Sequence, residues 1–250
     1  MKRYDAVLFD LFGTVALFNQ EKLPVFEWQG RSTRSTMGRL RDVVTETIPA
    51  LSFEDFYQAL TEVNQELADI RTKEMREILS ARRFTMTLVR AGLDDTAATA
   101  ALGETLSLAH MQLLAAATGI PATHMQLIAR TRAHYRTALV SNFDHGPTAR
   151  QVLQNGQVTD YFEHIVISAE HGWRKPHRKI FLDTLAQLNI TPEHALFVGD
   201  SPQDDIVGAG QVGMDIAWVS RSGAKPPDGC PRPRYTVRAI PELQSVLFSS

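Results

Sequence analysis

The sequence predicts an α/β fold: a doubly wound, Rossmann-like parallel sheet interrupted once by an inserted all-helical domain. Three observations carry this. Five short runs rich in Val, Ile, Leu and Phe lie at residues 6–9, 137–140, 164–167, 195–198 and 215–219. They are apolar throughout rather than alternating, as strands covered on both faces are. Helix-like segments separate the later runs, and strand alternating with helix reads as βαβ winding. The gap between the first run and the second far exceeds what a crossover needs, so a segment with its own core lies between them.

In chain order, the first run closes on Asp10 within "FDLFGTV", residues 9–15. The insert follows, taken as residues 16–118, leaving 1–15 and 119–250 as the core domain. Met37, Leu40, Val43, Val44 and Ile48 space a first helix of the insert. Ser52 with Asp55 makes a capping-box start for a second, whose stripe runs from Phe53 through Leu60 and Leu67 to Ile70. A third helix is expected from Ser80 to Gly92, and an alanine-rich fourth from about Asp95 to Gly119. In the core, helices are expected over 147–155 (closed by Gly156), 177–189 and about 203–211. The Pro/Gly-rich loop "SGAKPPDGCPRPR" precedes a short strand "YTV" and a last helix from Pro241. "GAGQVG", residues 208–213, matches a dinucleotide fingerprint by letters only. It stands eight residues past the strand tip instead of opening a helix directly after it.

Composition sets the outer bounds. With 250 residues, 44% of them hydrophobic, a sizeable core is affordable. Twenty-six basic residues against 28 acidic leave no one-signed field for nucleic acid or an anionic membrane. Asp5 and Asp10 interrupt the N-terminal apolar run, and no window approaches the roughly 18 apolar residues of a membrane span. The lone Cys230 makes no internal disulfide. A soluble, cytoplasmic protein, monomeric or homodimeric, is the expectation.

In an open parallel sheet, ligands bind beyond the carboxyl ends of the strands. The first run ends in Asp10, the second in Ser141 and Asn142, and the fourth in Gly199, Asp200 and Ser201, while Lys175 lies in the loop between the third and fourth. Two carboxylates, a hydroxyl and an ammonium therefore meet at one edge. Paired aspartates repel unless a cation sits between them, and oxygen ligands suit Mg²⁺. A carboxylate attacking a phosphoryl group needs cations to neutralise the developing charge. The set reads as phosphoryl transfer onto an aspartate.

The order "DLFGT", "VSN", "KP" and "GDSPQDD" resembles the four motifs of the haloacid dehalogenase superfamily, in the branch with a helical cap after the first motif. The resemblance spans residues 5 to about 220. It implies that Asp10 is the nucleophile, that Ser141 and the amide of Asn142 bind the phosphoryl group, and that Lys175 neutralises it. It also implies that Asp10, Asp200 and the backbone carbonyl of Phe12 hold Mg²⁺, with Asp205 on the metal's waters or on Lys175. Asp204 is read as a solvated helix residue. Phe12 stands where the phosphatases of the family carry a second Asp as general acid and base, and the dehalogenases an aromatic Tyr. Three activities follow: a Mg²⁺-dependent phosphatase, a metal-independent 2-haloacid dehalogenase, or a weak phosphate-binding member of the family. Asp144 is expected to cap the following helix, and it or His145 to replace the missing acid. His171 lies in a loop near the site, and Arg31, Arg34, Arg39 and Arg41 gather before and along the first helix of the insert.

Overall fold

A computed structural model describes residues 4–248. The chain forms two compact units, one built from the chain up to Leu17 and from Gly119 onward, the other from Phe18–Thr118.

The larger unit contains a six-stranded sheet: β1 (Ala6–Phe9), β2 (Arg136–Ser141), β3 (His164–Ile167), β4 (Ala195–Gly199), β5 (Asp215–Val219) and β6 (Tyr235–Val237). Spatial order is β6-β5-β4-β1-β2-β3, with every pairing parallel. Residues of β1 and β4 are buried throughout, which is why those runs carry no polar alternation. After β1, winding proceeds outward to β2 and β3, then returns to β4 on the other side of β1. That reversal makes the carboxyl end of β1 a topological switch point, where flanking loops part and leave a crevice. Leu8, Val140, Phe181, Phe197 and Trp218 belong to one core cluster, in which each fully buried large side chain contributes about 1.5–3 kcal/mol.

Two core helices match their predicted spans closely, over Gly146–Asn155 and Arg178–Gln187. A helix over Ala122–Arg132 was not foreseen, because its apolar positions are few and scattered. The segment predicted as a helix near 203–211 is a π-helical turn, Pro202–Val207, running into a short α-helix, Gly208–Val212. The chain ends in a 3₁₀ turn, Ile240–Leu243, and one α-helical turn rather than a regular helix.

The smaller unit carries four helices, Met37–Thr47, Phe53–Glu74, Ser80–Arg90 and Ala97–Ala117. Phe26, Leu40, Phe56, Phe84, Leu88 and Leu106 share its core. The Ser52 hydroxyl oxygen accepts the Asp55 amide at 3.1 Å, as the capping-box reading requires. The all-helical expectation for residues 16–118 is corrected by the two-residue strand Leu17–Phe18 and by a hairpin. Val25–Trp28 and Arg31–Arg34 pair as an antiparallel hairpin, turning at Gln29 (φ 49°) and Gly30 (φ 74°). Two consecutive positive-φ residues are what a tight hairpin turn demands, and the Gln in place of Asn or Asp hid that signal. Arg31 and Arg34 are therefore strand residues, while Arg39 and Arg41 lie on the first helix. Among the described residues, no helix is long and apolar enough to cross a membrane.

Candidate active site

The candidate site forms at the switch point of the larger unit. Phe9 pairs with Leu139 and with Val198, so the chain leaves β1, β2 and β4 at one level and delivers Asp10, Ser141 and Asp200 to the same edge. The Asp10 amide donates to the Val198 carbonyl at 2.9 Å, fixing where the strand ends.

Lys175 is the centre of the arrangement. Its ammonium donates to Asp10 Oδ1 at 2.7 Å and to the Val140 carbonyl at 2.9 Å, and it pairs as an ion with Asp205 Oδ1 at 2.7 Å. The side chain is 1% exposed. Burial alone would lower its pKa, but Asp10 and Asp205 outweigh burial and hold it above the usual lysine range, so the amine stays charged. Asn142 sets the lysine's backbone. Its Nδ2 donates to the Lys175 carbonyl at 2.9 Å, and its Oδ1 accepts the Lys175 amide at 2.7 Å.

Asp205 Oδ2 accepts the Ser201 amide at 2.9 Å, while its Oδ1 is ion-paired with Lys175 without an aligned hydrogen bond. Gly199 makes room for it: a Cβ there would lie 2.3 Å from Asp205 Oδ2. Asp10 is different. Its Oδ2 is buried and has no hydrogen-bond partner among the described residues, and the same holds for the Ser141 hydroxyl. Burial pushes the Asp10 carboxyl up to about 7, against the pull of Lys175 and with the repulsion of Asp205 and Asp200. Asp200 is raised too, by burial and then by Asp205, while Arg221 acts in the opposite sense.

The loop after β1 is tightly pinned. Ala16 N–H donates to Leu11 O at 2.8 Å, and Gly13 N–H to Ala16 O at 2.9 Å. Arg221 Nη2 donates to the Gly13 carbonyl, and the buried His124 holds the Val15 carbonyl at 3.0 Å through Nδ1. Gly13 has φ +97° and lies so close to Asp200 that a Cβ would approach its Oδ2 to 2.2 Å. None of the loop's described hydrogen bonds falls on the Phe12 carbonyl.

These features bear on a metal. Oxygens of Asp10, Asp200 and Asp205 lie within 4.8 Å of one another. An all-oxygen donor set suits a hard divalent cation such as Mg²⁺. The orphaned Asp10 Oδ2 and the unengaged Phe12 carbonyl are the groups such an ion satisfies, so the residues fit. Asp205, ion-paired with Lys175 through Oδ1 and accepting the Ser201 amide through Oδ2, stands behind this set.

All seven predicted site residues, Asp10, Phe12, Ser141, Asn142, Lys175, Asp200 and Asp205, lie in the larger unit. Others depart from expectation. Asp204 is half-buried rather than facing solvent, and burial raises its pKa. The helix after β2 is capped by His145, not Asp144: His145 Nδ1 accepts the Thr148 amide at 3.3 Å. His171 Nε2 is engaged with Asp183 at 3.0 Å. Phe12 lies against Phe143, ring centroids 4.4 Å apart with 31° between planes. Sequence reasoning missed Arg221 and His124. Arg221 was within reach, because it lies two residues past the carboxyl end of β5, on the edge where Asp10 ends β1. His124 had no signal, its partner being a backbone carbonyl 109 positions away.

A switch-point crevice with a carboxylate at the tip of β1, a buried lysine and an acidic cluster defines a hydrolase site of the α/β class. The match to the family model of haloacid dehalogenase-like hydrolases covers residues 4–213, and the chain belongs to that family. It is 34% identical over 99 residues to glyceraldehyde 3-phosphate phosphatase of Pyrococcus furiosus, 40% of this chain and 41% of that one, so the match covers less than half of either protein. Among solved structures, it resembles a 2-haloacid dehalogenase from Pseudomonas syringae at TM-score 0.74 and 21% identity, over 99% of this chain and 98% of that one. It also resembles the putative hydrolase YfnB of Bacillus subtilis, determined with bound magnesium, at TM-score 0.64 and 20% identity, over 99% and 100%. At those identities the structural likeness establishes the fold.

Proposed function

We propose that this protein is a Mg²⁺-dependent phosphatase of a small phosphorylated metabolite, acting through an aspartyl-phosphate on Asp10. The observation that carries this reading is the state of the Asp10 carboxylate: one oxygen is held by Lys175 at 2.7 Å, and the other is buried with no hydrogen-bond partner among the described residues. A carboxylate so fixed has one oxygen to aim and one fixed countercharge. The similarity to a phosphatase of glyceraldehyde 3-phosphate supports a small phosphate ester as substrate.

In this reading Asp10 attacks phosphorus, and the Ser141 hydroxyl and Asn142 amide hold the phosphoryl oxygens. Lys175, kept charged by Asp10 and Asp205, neutralises the charge that develops. Asp10, Asp200 and the Phe12 carbonyl hold Mg²⁺, which when bound supplies further charge neutralisation at the phosphoryl oxygens. Residues 18–118 act as the cap that closes over substrate and excludes water. The protein works in the cytoplasm.

One observation favours a second reading. The aromatic pair Phe12 and Phe143 leaves an apolar wall where an acid would serve a phosphatase, and halide departs without a proton. Under that reading Asp10 displaces halide and forms a carbon ester. Phosphate release from p-nitrophenyl phosphate that requires Mg²⁺ and is lost in Asp10→Asn supports the first reading. Chloride release from 2-chloropropionate in the presence of chelator supports the second.

A further inference from the structure

In the Mg²⁺ reading above, on which this inference rests, the loop after β1 offers a main-chain ligand, the Phe12 carbonyl. A side-chain ligand is aimed by its own rotamer, whereas a carbonyl is aimed only by the φ and ψ of the residues around it. Gly13, the next residue, has φ +97°. Glycine permits that conformation without enforcing it. The loop therefore depends on bonds to hold it.

Within Leu11–Ala16 three hydrogen bonds are internal. Ala16 N–H and Thr14 N–H donate to Leu11 O at 2.8 and 3.4 Å, and Gly13 N–H donates to Ala16 O at 2.9 Å. They engage the carbonyls at the two ends of the loop and leave those of residues 12 to 15. Two of these four are taken by side chains from elsewhere in the larger unit: Arg221 Nη2 donates to Gly13 O, and His124 Nδ1 donates to Val15 O at 3.0 Å. A carbonyl oxygen only accepts, so Nδ1 carries the proton.

The two grips differ in kind. Arg221 is exposed and reaches the loop on a long, flexible stem. His124 is buried and sits in the first turn of the helix Ala122–Arg132, so its short side chain ties the loop to a rigid element. Val15 has no exposed surface, and water does not take the imidazole's place there. A buried carbonyl left without a donor is costly, and the loop escapes that cost only by moving. The bond joins positions 109 apart, with the whole of Phe18–Thr118 inserted between them.

We propose that His124 is a positioning residue for the metal site: its hydrogen bond to the Val15 carbonyl holds the loop Leu11–Ala16 in the conformation that offers the Phe12 carbonyl to a divalent cation. The imidazole acts through the loop and not on the cation. Groups that orient metal ligands from behind are worth about 10–100-fold in metal affinity. Here the ligand so oriented is main chain.

The test is Mg²⁺ binding to the whole protein by calorimetry, with urea unfolding of each variant alongside. His124→Leu keeps an apolar bulk and removes the donor, and its Mg²⁺ Kd is expected to rise about 10–100-fold. His124→Asn places an amide nitrogen where Nδ1 lies and is expected to recover most of that loss. A residue that only supports the fold lowers the unfolding midpoint of His124→Leu and leaves the Kd of the folded protein unchanged. That result overturns the inference, as does an Asn variant as weak as the Leu variant. If His124→Leu does not fold, the parent protein carries the test. Mg²⁺ is expected to shift the His124 Nδ1–H signal in nitrogen NMR with the midpoint found by calorimetry, and a signal indifferent to Mg²⁺ overturns the inference. A parent protein that binds no Mg²⁺ defeats the metal reading and this inference with it, a result distinct from parent and variant binding equally well.

Discussion

Replacing Lys175 with Met tests the electrostatic core of the site. Met approximates the stem and removes the charge, leaving two carboxylates, on Asp10 and Asp205, that each lose a 2.7 Å ion pair. Both are buried, at 8% and 1% side-chain exposure, so water does not take the lysine's place. Breaking a buried pair by removing one partner costs about 3–5 kcal/mol while the survivor stays ionised. Protonation caps that cost. The carboxyl of Asp10, raised from 3.8 to about 7, favours the protonated form in the folded protein. A raised carboxylate contributes its full stability below its unfolded value, and loses it as pH climbs through the folded one. In Lys175→Met the attraction that opposed this rise is gone, so Asp10 is neutral at acidic pH and costly to ionise above neutrality. The expected destabilisation is about 3–5 kcal/mol near pH 8, falling to less than half of that near pH 5. Urea unfolding of both proteins, followed by circular dichroism without divalent ions, measures it. A penalty equal at the two pH values, or larger in acid, would refute the reasoning.

Further expectations follow from single contacts. Gly13→Ala places a methyl group 2.2 Å from Asp200 Oδ2 at a φ of +97°. The backbone strain alone costs about 1–2 kcal/mol. Mg²⁺ affinity by calorimetry should fall at least about tenfold, equivalent to about 1.4 kcal/mol, and an unchanged affinity would contradict the placement of Asp200 beside this loop. Arg221 holds the Gly13 carbonyl and pulls the Asp200 pKa down. Arg221→Met should therefore raise the Asp200 pKa in carboxyl-carbon NMR titration without Mg²⁺, and a fall would contradict it. Ser52 caps the longest helix of the smaller unit through the Asp55 amide. Ser52→Ala should cost about 1 kcal/mol in chemical denaturation, and no loss would mean that the cap is not stabilising.

The legible parts of this protein are those where one physical requirement dictates residue type. Strands β1 and β4, covered on both faces, must be apolar at every position, and their runs stand out in the sequence. The polar residues that end β1, β2 and β4 were readable because parallel strands deliver their carboxyl ends to one edge. Lys175 was legible for the same reason, through its loop between β3 and β4. What stayed hidden depends on contacts between distant positions. The commitment of Asp205 to the Ser201 amide and Lys175 and the grip of His124 on Val15 have no periodic signature. His145 rather than Asp144 caps the helix after β2 because the chain enters the helix one residue later than an acidic cap would require. The hairpin at residues 25–34 was obscured by polar strand residues and a Gln at a turn position where Asn or Asp is usual.

The central claim is that an oxygen of Asp10 becomes bonded to phosphorus. The most direct measurement is acid quenching within the first turnover of p-nitrophenyl phosphate, followed by peptide mass spectrometry. A phosphoryl group is expected on the peptide holding Asp10, and none in Asp10→Asn. Steady turnover with an unlabelled Asp10 peptide, or an Asp10→Asn protein as fast as the parent with deamidation excluded, would contradict the account.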